Sequence, residues 1–437
     1  MKKTIEKNNY KTKLLWVIIF VAITIPLLAG QCSSPPEAKT HDLNITIIGS
    51  GQIELSIGKI CITSCSESLA EDSKVILRAK FGNSTTATGT AITWSGDCSG
   101  STDSCSLKMD SDKTVTIEFD INGVVSIPDV NLAKKLRERL GLTADEDITK
   151  AHMLSLTFFR TGSSFDTPNN ERISSLEGLQ YAVNLLELSL NYNKITDISQ
   201  IQNLKKLSTL KLGATKITDV TALKALTNLK EFSLFNNKIT DFGALKDLTK
   251  LEFISIAAPW SEKLTLNDLS FLKNLSKLKY LSLRNTIPGD LAILKDLKEL
   301  KELNLIGAIN QSRLGEIKDL TNLEILRISN NKLDDITVLK DFVKLKTLSV
   351  SYNKIKDISV LKKLINLEKL FLNRNLLGNI DALVDNPGLT GDKDQVFITY
   401  NCLDIAGDDK ANIDKLINRK INLTYDPQNT PHTQGCP

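Results

Sequence analysis

The chain has 437 residues, enough for two or three domains, and 41% of them are apolar, which excludes wholesale disorder. Aromatic residues make up only 5%, a composition suited to a repetitive aliphatic core rather than to an enzyme pocket lined with rings. Net charge is +4, but Lys2, Lys3, Lys7, Lys11 and Lys13 precede residue 31 against the single Glu6. The remainder is neutral, which argues against a nucleic-acid partner and against a polybasic hold on anionic lipid.

The basic start leads into Leu14 to Ala29, apolar apart from Thr24. As a helix this run spans about 24 Å, short of a hydrocarbon layer of about 30 Å. Residues 1–31 are therefore expected to be a secretory signal peptide, with an uncleaved anchor helix as the alternative. Leu27-Leu28-Ala29-Gly30-Gln31-Cys32 resembles a bacterial lipoprotein signal, in which the Cys after the cut is lipidated. Leu28 sits one place early, and Gln31 stands where a small residue is usual. The resemblance implies a lipid anchor on Cys32; plain cleavage near Ala29 is the alternative. Residues 32–42, with Pro35-Pro36 and no hydrophobic periodicity, read as a tether.

Residues 43–122 read as a small β module. Leu43-Asn44-Ile45-Thr46-Ile47, Val75-Ile76-Leu77-Arg78-Ala79 and Thr114-Val115-Thr116-Ile117-Glu118-Phe119 alternate as half-buried strands do, with turn residues between them. An antiparallel arrangement is expected. Gly49-Ser50-Gly51, Cys61 with Cys65, Trp94-Ser95-Gly96-Asp97-Cys98-Ser99-Gly100, Cys105 and Met109-Asp110-Ser111-Asp112-Lys113 resemble a Cys-bearing β repeat of bacterial surface proteins, related to the B-repeats of internalins. Setting Cys32 aside leaves Cys61, Cys65, Cys98, Cys105, Cys402 and Cys436, an even set that an exported chain favours as disulfides. The spacing from Cys98 to Cys105 fits zinc poorly. Of the three connectivities open to the module, local pairing is expected, 61 with 65 and 98 with 105. Trp94 is expected to pack beside a disulfide rather than bind sugar.

Internal repetition dominates the rest. Asn184-Leu185-Leu186-Glu187-Leu188-Ser189-Leu190-Asn191-Tyr192-Asn193-Lys194-Ile195-Thr196-Asp197-Ile198 recurs in units starting at Lys206, Asn228, Lys250, Lys277, Glu299, Asn322, Lys344 and Asn366. The unit at Lys250 is five residues longer than the usual 22, and the unit at Glu299 one longer. The Leu-x-Leu pair of each unit alternates along a strand so that both side chains enter the core. Asn193, Asn237, Asn331, Asn353 and Asn375 begin a turn, where an amide can satisfy donors and acceptors of buried backbone. Asp197, Asp219, Asp241, Asp335 and Asp357 are placed to cap a short helical turn. No unit covers its own apolar faces; stacking covers them.

These units resemble the 22-residue leucine-rich repeats of the internalin family over about 250 residues. The resemblance implies an α/β leucine-rich-repeat solenoid, with a parallel β-sheet on the concave face and a short 3-10 or helical convex side. Ile127 to Leu136 resembles the N-terminal cap helix, begun by Pro128 or Asp129, within a cap over 123–147. Repeats follow over 148–400, the first divergent, with a polar insertion near 162–171. Residues 401–437 resemble a closing cap, with a helical stretch Lys410 to Arg419 and Cys402 stapled to Cys436. The middle departs from the pattern, because Thr215, Pro259, Thr286 and Ala308 replace the turn Asn.

Catalytic chemistry finds no foothold. The three histidines, His41, His152 and His432, are not spaced as metal ligands or beside a nucleophile. Asp145-Glu146-Asp147 lacks the rest of a calcium loop. The expected function is protein binding by an exported, monomeric, lipid-anchored protein without cofactor, metal or enzymatic activity. A structural or envelope-organising lipoprotein is the alternative. Internalin-like proteins often bind host receptors, and the resemblance extends that expectation here. Counting each unit from the residue before its first Leu, positions 4, 6 and 8 face out of the concave sheet. Phe253 and Tyr280 at position 4 then stand about 5 Å apart on adjacent strands. Phe235 and Trp260 lie near them, and Arg284 and Arg327 add polar contacts. These six residues are the expected partner-binding set; packing of the rings on one another, or under the insertion at 260–266, is the alternative.

Mass spectrometry of the native N-terminus is expected to find an acylated Cys32. An unmodified Gly30 or an intact Met1 at the N-terminus would refute the lipoprotein reading.

Overall fold

The computed structural model describes residues 39–49, 51–80, 92–119, 123–405, 407 and 409–426. The signal segment, Cys32 and Cys436 lie outside the described residues. Eight strands build the N-terminal module: β1 Thr40–Ile48, β2 Gln52–Leu55, β3 Ile60–Cys61, β4 Cys65–Ala70, β5 Lys74–Lys80, β6 Ile92–Gly96, β7 Ser104–Lys108 and β8 Lys113–Phe119. They form two four-stranded sheets, ordered β4-β1-β8-β6 and β3-β2-β5-β7. Leu43, Ile45, Leu77, Trp94, Val115 and Ile117 of alternating positions fill the space between them. The all-antiparallel expectation fails at one place. β1 runs parallel to β8, with Leu43 opposite Lys113. Parallel neighbours need a long crossover, and the whole module lies between its first and last strands. β1 also begins at Thr40, inside the segment read as tether.

Disulfides Cys61–Cys65 and Cys98–Cys105 close two loops of the module. Trp94 is buried, and its indole N–H donates to the Thr102 carbonyl at 2.7 Å, inside the loop closed by the second disulfide. Cys402 is also disulfide-bonded; Cys436, its expected partner, lies outside the described residues.

Helix α1 (Val130–Leu140) starts the second domain with Asp129 as its N-cap. One Asp129 carboxylate oxygen accepts from the Asn131 and Leu132 N–H groups. The other accepts from Ser174 N and Oγ and from Ser175 N, which ties the cap helix to the first repeat. A second helix, α2 (Lys150–Ser155), stands where the sequence reading began the repeats. Its Leu154 touches both the module core and the solenoid core.

From there a parallel sheet of 12 strands runs from Phe158–Arg160 to Asn422–Thr424. Three of its strands, Phe158–Arg160, Gln395–Phe397 and Asn422–Thr424, extend it beyond the nine regular units. Each coil returns through a short convex turn, such as the 3-10 segments Ser199–Ile201, Thr221–Ala225 and Ser359–Lys363. The buried Leu and Ile of every coil join one continuous core from Val125 to Ile421.

The turn asparagines explain how coils stay stacked. Asn353 is buried; its amide nitrogen donates to the Val350 and Ser351 carbonyls of its own coil and to Ile328 of the preceding one. Its amide oxygen accepts from the Asn331 and Leu333 N–H groups. Asn193, Asn237, Asn331, Asn375 and Asn401 repeat this bridge with their own neighbours. Thr215 has one hydroxyl, 2.9 Å from the Leu212 carbonyl and 2.7 Å from the Asn237 amide oxygen; its single hydrogen serves only one of these acceptors at a time, where an amide has two hydrogens to donate. The residue before each asparagine takes a positive φ, as at Tyr192 (60°), Tyr352 (58°) and Arg374 (56°). Ala258 is not among these left-handed residues; it precedes Pro259, which disfavours compact backbone there.

The repeated aspartates sit one residue ahead of the position expected of an N-cap. Asp197 accepts from the Ser199 N–H at 2.8 Å and from its hydroxyl at 2.9 Å. Asp219, Asp268, Asp335 and Asp357 repeat both bonds. The backbone bond first, then the hydroxyl, hold the Asp197 and Asp268 carboxyls below the usual range. Burial pushes Asp129 up, but its hydrogen bonds from Ser174, Leu132 and Ser175 outweigh this and lower it.

Asn353→Ala leaves several buried backbone groups in two coils without partners, at about 1–3 kcal/mol each. We expect a clear drop in thermal midpoint, and a smaller one for Asn353→Thr, which keeps the bond within its own coil. Equal midpoints for native and Asn353→Ala would show that the ladder does not stabilise the stack. The lowered carboxyls predict a pH dependence of definite sign. Their contribution is complete above about pH 4, the value of an unfolded carboxyl, and is lost as pH falls through the lower folded values. Melts at pH 7 and pH 3 should show this loss, and Asp129→Asn, which cannot ionise, should show less of it.

Candidate protein-binding face

Along the concave sheet, position 4 reads Phe158, Glu187, Thr209, Glu231, Phe253, Tyr280, Glu302, Ile325, Thr347, Lys369 in strict one-to-one register. Position 6 reads Arg160, Ser189, Lys211, Ser233, Ser255, Ser282, Asn304, Arg327, Ser349, Phe371, Phe397. Acids of the first row pair with cations of the second. Arg160 grips Glu187 with two bonds of 2.5 and 2.6 Å, Lys211 meets Glu231 at 2.9 Å, and Arg327 binds Glu302. The Arg160 guanidinium holds the Glu187 carboxyl below its ordinary value.

Between these neutralised pairs lies the aromatic step. The Phe253 and Tyr280 rings are half-buried and stacked at 4.0 Å with planes 5° apart. Ser233, Ser255 and Ser282 beside them are small, so nothing bulky in the next row shields the rings. The other expected residues divide among different places. Phe235 turns back toward the N-terminal coils and meets Tyr192 edge-on at 5.6 Å. It lies over Gly213, where any Cβ would come within 2.1 Å of its ring. Trp260 stands on the rim, 59% exposed, with the Arg284 guanidinium 5.2 Å from its ring. Arg327 is engaged by Glu302 and reaches a ligand only through that pair.

The sequence reading missed a second set of rings. Phe371 and Phe397 stack at 4.8 Å in position 6. On the rim, Arg374 lies 5.2 Å from the Tyr352 ring and 4.3 Å from the Tyr400 ring. Tyr192, Tyr352, Arg374 and Tyr400 all occupy the residue before the ladder asparagine, so scanning that column would have found them. Among the described residues no group of three or more His, Cys, Asp or Glu is arranged to hold a metal ion.

The profile of the family described as "Leucine Rich repeats (2 copies)" matches residues 183–225 and 343–385, and that of "Leucine Rich repeat" matches 225–246. An internalin of Listeria monocytogenes is similar in structure at a TM-score of 0.55 and 28% identity, covering 68% of this chain and 88% of that one. The chain is an internalin-like leucine-rich-repeat protein. Internalin C2 of the same organism aligns at 25% identity over 60% of this chain and 91% of its own, with a TM-score of 0.32. A leucine-rich-repeat protein of Leptospira interrogans aligns at 21% identity, 57% and 80% coverage, and a TM-score of 0.39. No curated protein matches the chain in sequence. The internalin-like solenoid thus supplies a rigid concave sheet whose charges are mostly self-paired and whose centre is aromatic.

Proposed function

We propose that this is an exported bacterial binding protein, held to a membrane by a lipid on Cys32, whose concave face engages a protein partner at Phe253 and Tyr280. The observation that carries the reading is the Phe253–Tyr280 stack, an apolar step among serines and self-neutralised charges. Aromatic groups dominate the energetics of protein interfaces, and charged side chains already paired on their own surface cost less to cover. The solenoid core does not need these rings, because positions 5 and 7 already fill it. The stretch from Cys32 to Thr40 spans at most about 28 Å when extended, which sets the reach of the module from the membrane. The resemblance to internalins makes a host-surface protein the class of partner to test first.

With a partner captured from host or envelope extracts, Phe253→Ala/Tyr280→Ala should weaken binding about 30-fold or more, roughly 2 kcal/mol, at an unchanged melting temperature. Titration calorimetry reads this directly. Native affinity in the folded double variant would remove the stack from the interface.

A further inference from the structure

The rim beside the sheet presents a second group of exposed rings and cations, on residues separate from the concave stack. At the start of the five-residue insertion, Trp260 occupies the column that holds Lys194, Lys216, Lys238, Lys332 and Lys354 in other units. Its loop is pinned, because the buried Asn285 amide donates to the Pro259 and Glu262 carbonyls. Leu264–Leu266 pairs in parallel with Thr286–Pro288 behind it. The ring edge lies over Gly307, whose left-handed φ of 65° favours glycine; a Cβ there would sit in ordinary contact with the ring, 3.7 Å away.

Between Trp260 and Tyr352 this arrangement leaves an open surface pocket of about 460 Å³, floored by Ile306, Ser329 and Ser351 with Asn330 at its side. Both walls are exposed, Trp260 by 59% and Tyr352 by 57%. An aromatic at each wall and a floor of Ile306 between two small serines suit one large apolar side chain. Each wall also carries a cation. Arg284 lies against Trp260 and Arg374 against Tyr352. Among the described residues neither guanidinium has a carboxylate within ion-pair distance, unlike Arg160, Arg313 and Arg327. Lys332 and Lys354, exposed beside the pocket, have no ion pair among the described residues either. The nearby acid Glu262 is already matched by Lys238 at 3.1 Å.

The coils of Arg284 and Arg374 are four strand spacings apart, about 19 Å, the length of about six extended residues. From this we propose that the rim binds an acidic, extended peptide segment of a protein partner. Its large apolar side chain enters the Trp260–Tyr352 pocket, and a carboxylate on either side pairs with Arg284 and Arg374. Arginines held against rings lose less freedom on bidentate carboxylate pairing.

A displayed library of random twelve-residue peptides, selected on the full chain, tests this. Enriched peptides should carry acids about six residues apart around an aromatic or large aliphatic residue. A synthetic copy should lose at least tenfold in affinity on Trp260→Ala or on Arg284→Gln/Arg374→Gln, and its binding should weaken with salt. Arg374→Glu should be rescued by exchanging one peptide acid for lysine. Phe253→Ala/Tyr280→Ala should leave peptide binding intact, so failure at the rim and failure at the concave stack are told apart. No enrichment, enrichment without acids, native affinity in folded rim variants, or loss of binding in the concave double variant would each overturn the proposal.

Discussion

The solenoid depends on a buried amide that serves two coils at once. A strand-turn unit of 22 residues cannot satisfy the backbone of its own turn, because the chain bends away before a second hydrogen-bonding segment arrives. Asn353 and its counterparts supply the missing partners, donating to carbonyls of one coil and the coil before it, and accepting from N–H groups there. The bonds of Asn353 lie where water does not reach, so loss of one leaves a costly unpaired group rather than an exchange with solvent. The apolar core is generous but undirected. The amides fix the spacing and register that place every outward side chain opposite its equivalent in the next coil.

Strict register turns sequence columns into surface rows. Glu187, Glu231 and Glu302 come within reach of Arg160, Lys211 and Arg327 because both rows face the same side of neighbouring strands. Phe253 and Tyr280 stack for the same reason. A parallel sheet with one residue per column and coil leaves such neighbours no choice of partner beyond a rotamer.

The distinctive surface features gather where the ladder is interrupted. Pro259, Thr286 and Ala308 occupy three successive turn positions, and Asn285 is drawn aside to hold the inserted loop. Freed from the ladder, the backbone there can lengthen, form an extra two-stranded sheet and raise Trp260 above the rim. On either side the regular coils keep the geometry rigid. A local exception in a periodic structure is thus affordable because its neighbours over-determine the stack.

Much of this was legible in the sequence, since a period of 22 with fixed Leu, Asn and Asp columns admits one architecture and assigns inside from outside. The Phe253–Tyr280 contact followed from counting alone. Asp129 was recognisable as a cap, but its bonds to Ser174 and Ser175, some 45 residues on, were not. Only the tertiary structure decided that β1 runs beside β8, because pairing partners in a non-repeating module are set by packing and not by period. Only it separated Phe235 and Trp260 from the stack, since rings project several ångströms from their columns and settle wherever a small neighbour leaves room. For Phe235 that neighbour is Gly213, where a Cβ would clash with the ring. Periodicity fixes where a Cα lies and which way its Cβ points; where a long side chain comes to rest depends on what every adjacent coil lacks.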